Sequence, residues 1–313
     1  GVHAKIAENL ARHSGGFVPA YGSSELDKAV EASFARIFER EVSVYFVATG
    51  TAANALSIAS FNKPGGITFC HETAHVAEDE CGAVEYLTGR SRLSLIPGAN
   101  GKMDLPALDK AIARNPAAFV HGGQPMGITI TQATEAGTVH SPDEISAISA
   151  IAKSNKLPLH MDGARFANAL VSLGCSPAEM TWKAGIDILS FGATKNGCWC
   201  AEAIVVFDKA LDQQMPFLRK RGAQLFSKSR FVAAQFEAYF EGDLWLENAR
   251  HANAMATALA SGLAASGRAR LHARPQANEV FAILANTDIE RLRAAGANFY
   301  DWHAPSDGSV RES

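Results

Sequence analysis

The sequence predicts an α/β protein: a mostly parallel sheet covered by helices on both faces, followed by a smaller α+β lobe. Three observations carry that expectation. Short β-branched or apolar runs alternate with amphipathic stretches of helical period over the first two hundred residues, which is the pattern of repeated strand–helix units. The strand-like runs then stop near residue 207, and the text turns helical until one or two further runs appear near residue 270. With 313 residues, 47% of them apolar and only 19% charged, the chain can bury a large core and still supply a second lobe.

The strand candidates, in order, are "VSVYFVAT", "GITFCH", "RLSLIP", "AAFVHG", "ITITQ", "LPLHMD", "DILSFG" and "EAIVVF". Each is a short apolar run bounded by turn-forming residues. Between them lie "SELDKAVEASFARIFERE", "TAANALSIASF", "SPDEISAISAIAKSN" and "ARFANALVSLG", whose apolar residues recur at helical spacing. The third of these has a full start signal: Ser141 as N-cap, Pro142 at the first helical position and Glu144 three residues after the cap. Residues 228–266 read as one long helical segment. "RLHARPQANEVFAILAN" then supplies one or two strands and "DIERLRAAG" a short helix. We expect a large domain over residues 1–240 and a small C-terminal α+β domain over 241–313. Helical spacing already under way at Ile6 and Leu10 suggests that residues precede Gly1, and a strand expected to pair in the small lobe has not arrived by Ser313.

Charge excludes some function classes. Lys plus Arg (29) nearly balances Asp plus Glu (32), so no net field draws the chain to nucleic acid or anionic lipid. The apolar runs are too short to cross a bilayer and no signal-peptide pattern opens the chain, so a cytoplasmic location is expected. The five cysteines, Cys70, Cys81, Cys175, Cys198 and Cys200, are odd in number and scattered, which argues for reduced thiols rather than a disulfide framework or a metal site.

In open α/β sheets, ligands gather at the carboxyl ends of the strands. After "VYFVAT" comes "GTAANAL", where Gly50 permits a tight turn and Thr51 opens a helix whose free amides suit one phosphate; a plain cap would read the same way. After "LPLHM" comes Asp162, then Arg165 in the first turn of the next helix, a pair that could equally be a surface cap. After "DILSFGAT" comes Lys195, in a polar, Gly-rich turn. An acid, an arginine, a lysine and a phosphate-type loop at strand ends of one sheet fit the needs of pyridoxal 5'-phosphate. A lysine forms a Schiff base with its aldehyde, a carboxylate keeps its ring nitrogen protonated, and a helix terminus holds its phosphate.

The segments "ATGTAAN", "HETAHV", "HMDGARFANA" and "SFGATKNG" together resemble the threonine aldolases, PLP enzymes of the aspartate-aminotransferase fold (fold type I). The likeness runs over most of the chain and is most specific in "HMDGAR", with Lys195 following 33 positions after Asp162. It implies retro-aldol cleavage of L-threonine and related β-hydroxy-α-amino acids to glycine and an aldehyde, in a homodimer or homotetramer with shared active sites. Carried over by motif, Lys195 is the Schiff-base lysine, Asp162 the partner of the ring nitrogen and Arg165 a holder of the substrate carboxylate. Gly50 and Thr51 bind the phosphate, and His75 stacks on the ring. The resemblance also suggests Tyr21 and Ser23 near the substrate, though Ser23 or Ser24 could simply cap a helix, and Lys228 as a phosphate contact from this or a neighbouring subunit, a position that a solvated helix face would explain equally well.

The likeness has gaps. The stretch in which many threonine aldolases carry a substrate-handling histidine reads "ITITQATEAGT" here, so the base for the substrate hydroxyl is open; His75, His71 or a water are candidates, His75 first. A second carboxylate-binding arginine is not identified. Two rival readings stand beside the first: a phenylserine aldolase or β-eliminating lyase on the same scaffold, and a non-catalytic scaffold.

Overall fold

The structure, a computed structural model, describes residues 1–302 and 311–312. Seven of the short runs form one sheet: β1 (Ser43–Val47), β2 (Gly66–His71), β3 (Arg92–Ile96), β4 (Gln124–Thr131), β5 (Leu159–Gly163), β6 (Ile188–Gly192) and β7 (Glu202–Val206). Their order is β1-β7-β6-β5-β4-β2-β3. Strands β2, β3, β4, β5 and β6 pair in parallel, whereas β7 runs antiparallel to both of its neighbours. The sheet is therefore mostly parallel, as expected, with one reversed strand. Strands β5, β6 and β7 are buried at every residue, because helices cover both faces; this is why they read as continuous apolar runs rather than alternating ones.

One expected strand does not form. Residues 117–122, "AAFVHG", fold into successive turns: the Phe119 N–H donates to Pro116 O and the Gly122 N–H to Phe119 O. Phe119 and Val120 lie exposed. Pro116 on one side and Gly122–Gly123 on the other leave too little room for a ladder. The strand begins after this punctuation and runs through Pro125, beside a register shift between Ile67 and Thr68, where the missing proline donor is tolerated.

The helices start where their caps predict. Ser141 accepts from the Glu144 N–H, and the Glu144 carboxylate accepts from the Ser141 N–H. Ser24, with Asp27, closes the same reciprocal box at the Glu25–Ile37 helix, while the Ser23 hydroxyl donates to Ala20 O; the cap is Ser24. The long segment 228–266 is two helices, Arg230–Phe240 and Leu244–Ala265. Gly242 and Asp243 between them both take φ of 58°, a left-handed conformation that interrupts a right-handed helix. The apolar period runs on across "EGD" and hides the break.

Two apolar layers sandwich the sheet. On one face an aromatic cluster forms, with Phe191 fully buried at 5.2–5.3 Å from the rings of Phe34 and Phe166 and Phe236, Phe240 and Trp245 behind it. Burial of each such ring stabilises the fold by roughly 1.5–3 kcal/mol. On the other face Ala53, Leu56 and Ile58 of the Gly50–Ala59 helix pack on Val47, Ile188 and Ile204. That packing fixes the axis of a helix whose amino end points at the carboxyl edge of the sheet.

The second lobe carries an antiparallel sheet of β8 (Ala269–Leu271), β9 (Ala282–Leu284) and β10 (Arg311–Glu312), ordered β10-β9-β8, with the Asn286–Ala294 helix beside it. Contrary to expectation, a short third strand does pair with β9 before Ser313. Among the described residues no helix is long and apolar enough to cross a membrane.

Candidate active site

The carboxyl ends of β1, β5 and β6 converge, and each delivers one of the residues singled out from the sequence. After β1 the chain enters the Gly50–Ala59 helix, whose N-cap is Thr49, its hydroxyl accepting from the Ala52 N–H at 3.1 Å. Gly50 and Thr51 are thus the first two helical residues, and their amides have no intrahelical acceptor. A Cβ on Gly50 would meet nothing within 4 Å; the ground above this turn is open.

Asp162 is the last residue but one of β5 and is 3% exposed. Its two oxygens accept from the Ala164 N–H (3.0 Å) and the Asn54 side-chain amide (2.8 Å). The same Asn54 amide donates to Glu80 Oε1 at 2.8 Å, so one NH₂ group bridges two buried carboxylates. Glu80 also meets His75 Nδ1 at 3.0 Å. This contact raises the His75 pKa, and burial raises that of Glu80. The ligand-capable atoms of His75, Glu80 and Asp162 lie within 4.8 Å of one another, a clustering that Asn54 and the imidazole hold together. Below, on the same strand face, the fully buried His160 bonds Thr129 (2.7 Å) and Ser190 (2.9 Å); burial lowers its pKa to about 4, so it is a neutral strut.

Lys195 lies in the turn between β6 and β7, and that turn is tied at every side. Ala193 N–H donates to Ala201 O (3.1 Å). The Asn196 amide donates to Tyr239 Oη (2.7 Å) and Trp245 O (2.8 Å), and Gln235 Oε1 accepts from the amides of Trp199 and Cys200. Glu202 opens β7 nearby, its pKa pushed up to about 7 by burial against the opposing hydrogen bonds of Thr194.

These groups line one cavity of about 440 Å³: Thr49, Gly50 and Thr51, Asp162 and Asn54, and Lys195, together with His75 and Trp199. A second cavity of about 500 Å³ adjoins it through His75 and Lys195, which line both. Its remaining polar lining is Arg165, Glu135, Glu279, Asp79 and Tyr300, and its apolar lining includes Phe281 and Trp302. Arg165, the N-cap residue of the Phe166–Leu173 helix, pairs with Glu279 at 2.6 Å, while its Nε and Glu279 Oε2 are buried without hydrogen-bond partners among the described residues.

Of the residues picked from the sequence, Lys195, Asp162, Gly50, Thr51, His75 and Arg165 come together in these two cavities. Tyr21, Ser23 and Lys228 do not line either one. Tyr21 is half exposed, its ring under the Lys220 ammonium, and Lys228 is exposed in the turn before the Arg230–Phe240 helix. His71 points elsewhere, its ring nitrogens meeting Thr73 (2.9 Å) and Gly98 O (3.1 Å). Sequence reasoning passed over Asn54, Glu80, Glu135, Glu202 and Glu279. Asn54 had a signal, since it stands one turn after Gly50 and so on the same helix face; Glu279 had none, because it arrives from the second lobe.

The donor set matches PLP. An amine, a buried carboxylate and a helix amino terminus are the groups that the coenzyme's aldehyde, ring nitrogen and phosphate would require, and all three line one cavity of suitable size.

Comparison with known proteins agrees. The profile of the beta-eliminating lyase family matches residues 8–287. The chain is 43% identical to the low specificity L-threonine aldolase of Pseudomonas aeruginosa, over 93% of this chain and 84% of that protein. It is 42% identical to its counterpart in a Pseudomonas species, over 95% and 85%. The structure of Leishmania major threonine aldolase superposes with a TM-score of 0.92 at 29% identity, over 100% of this chain and 90% of the other. A buried carboxylate, a tethered lysine and a helix amino terminus at one sheet edge, in a chain matched nearly end to end, place this protein in the beta-eliminating lyase family, among the threonine aldolases.

Proposed function

We propose that the protein is a PLP-dependent aldehyde-lyase that cleaves L-threonine and related β-hydroxy-α-amino acids to glycine and an aldehyde. The observation that carries this reading is the joining of two cavities at Lys195 and His75: one with the donor set for the coenzyme, the other with an arginine for an amino acid carboxylate. The high identity to low specificity L-threonine aldolases supports it.

Bound here, the coenzyme supplies an aldehyde that condenses with amines and a protonated ring that takes up the electron pair released at the substrate's Cα. Asp162 holds the proton at the ring nitrogen; a charge-assisted hydrogen bond of this kind contributes on the order of 1.5–3 kcal/mol. Asn54 and the Ala164 amide fix the direction in which that carboxylate points. The amides of Gly50 and Thr51 bind the phosphate, helped by the helix dipole. Lys195 offers its amine, held by a turn that leaves it little freedom, and His75 flanks the ring. Arg165 holds the substrate carboxylate with the part of its guanidinium that Glu279 leaves unbonded, so that the pair with Glu279 persists. Such a grip aligns the breaking bond and is worth several kcal/mol of barrier.

Two finer points belong to the same reading. The lobe beginning near residue 241 forms one wall of the substrate cavity, through Glu279 and Phe281. Tyr21, Ser23 and Lys228 serve a site completed by a second copy of the chain, in keeping with the exposure of Phe17 and Trp199; sedimentation of the holoenzyme, with cofactor titration of Lys228→Ala, tests this.

The main test is a product assay. Acetaldehyde and glycine from threonine support the proposal. Pyruvate with ammonia identifies a β-eliminating lyase. A visible Schiff-base band in wild type, lost in Lys195→Ala, is the expected spectrum, and a wild type mixed with PLP that shows no such band removes the coenzyme reading altogether.

A further inference from the structure

The turn after β4 presents a carboxylate to the substrate cavity. Thr131 is in register with Asp162, and the next amide, Gln132 N–H, donates to Asp162 O at 2.7 Å. The Gln132 side chain then bonds both backbone groups of His140, at 2.8 and 2.9 Å, so the chain doubles back within eight residues. Inside this loop Thr134 N–H donates to Thr138 O (2.9 Å), the two threonine hydroxyls meet at 2.8 Å, and Thr138 also donates to Asn100 O (2.8 Å). Gly137, at φ 72°, brings the turn against the second lobe: a Cβ there would meet Glu279 O at 3.2 Å, and Gln276 N–H donates to Gly137 O. The turn is braced from three sides.

Glu135 stands on this turn. It is 9% exposed, lines the cavity with Lys195 and Arg165, and among the described residues its carboxylate makes no hydrogen bond. A desolvated acid without a partner costs free energy, and such groups concentrate where chemistry is done. The other acids and bases of the cavity are committed or unsuited. His75 is held by Glu80, which favours its cationic, donor-only form. Glu279 is paired with Arg165, and Asp79 and Tyr300 are solvent-exposed.

On the aldolase reading above, we propose that Glu135 is a catalytic residue, whose carboxylate accepts the proton of the substrate's β-hydroxyl as the Cα–Cβ bond breaks. The O–H electron pair becomes the second C–O bond of the leaving aldehyde, and the Cα–Cβ pair remains on Cα. Glycine then gains at Cα one hydrogen, the number that the hydroxyl gave up. The environment suits the task. Burial pushes the Glu135 pKa up to about 7, Glu279 adds to the rise, Arg165 opposes it, and the charges of Asp162 and His75 act in smaller measure. An acid–base group titrating near the working pH transfers protons most effectively.

The experiment compares wild type, Glu135→Gln and Glu135→Asp holoenzymes on threonine and on glycine, which has no hydroxyl. The expected result is a loss of threonine cleavage of roughly 10²–10⁴-fold in Glu135→Gln, partial recovery in Glu135→Asp, and glycine affinity and glycine α-hydrogen exchange within about threefold of wild type. Carbon-13 NMR of glutamate-labelled apoprotein should show a carboxyl titrating near neutral pH in wild type that is absent from Glu135→Gln. Retained threonine cleavage in Glu135→Gln overturns the assignment, as does a loss of glycine binding equal to the loss of cleavage. A wild type that leaves both threonine and phenylserine intact removes the aldolase reading and this proposal with it.

Discussion

Replacing Asn54 by leucine tests how the floor of the coenzyme cavity is built. Asn54 donates to Glu80 Oε1 and Asp162 Oδ2, both at 2.8 Å, from a site 2% exposed. Each bond to an ionised acid is worth roughly 1.5–3 kcal/mol, so removing both at constant side-chain volume costs at most about 3–6 kcal/mol. Two effects reduce the loss: leucine adds apolar burial, and Glu80, whose pKa burial already raises, can take up a proton. A net loss of about 3 kcal/mol at pH 8 follows. Its pH dependence has a definite sign. Without the amide, the folded-state pKa of Glu80 rises further, so the folded variant holds a proton that the unfolded chain releases above about pH 4.5. Stability then falls as pH rises, and the deficit is larger at pH 8 than at pH 5. Urea unfolding of the cofactor-free protein at the two pH values measures it. A deficit under about 1 kcal/mol at pH 8, or one that shrinks as pH rises, refutes the bridging role.

Other expectations are simpler to check. Asp162→Asn should weaken PLP binding roughly tenfold to a hundredfold, as loss of about 1.5–3 kcal/mol requires; equal affinity by absorbance titration contradicts the ring-nitrogen assignment. Glu202, with its folded pKa near 7 against an unfolded value near 4.5, makes stability fall between those pH values, because the folded state keeps a proton that the unfolded chain has already released. Glu202→Gln should flatten the slope of unfolding free energy against pH in that window by up to one proton, and an unchanged slope denies the shift. Phe191→Ala, at the centre of the aromatic cluster, should cost about 3–5 kcal/mol in urea unfolding.

The sheet was legible because buried parallel strands and their covering helices have distinct apolar periods, and because Asp162 and Lys195 stand where those periods break. Three features escaped that logic. Residues 117–122 have strand composition, yet Pro116 and the glycine pair deny them a partner. The break at Gly242 and Asp243 depends on two positive φ values that the surrounding apolar pattern masks. Glu135 and Glu279 have ordinary sequence surroundings and acquire their character from burial near Arg165, as Glu80 does from burial against His75, Asn54 and Asp162; no spacing in the chain records a neighbour brought from another lobe. Asn54 lies between these cases: its helix face could be read from the sequence, but the two acids that it joins could not.

The reversed direction of β7 sets limits on where this chain tolerates change. A parallel successor to β6 would require a crossover of a dozen or more residues to the far edge of the sheet, and the lysine would sit at the start of a long, variable excursion. Because β7 instead turns straight back, residues 193–201 are confined to a short span clamped by two paired strands. An insertion there has no slack to absorb it and must shift either the amine or the ladder, whereas additions on the opposite rim of the sheet leave both undisturbed.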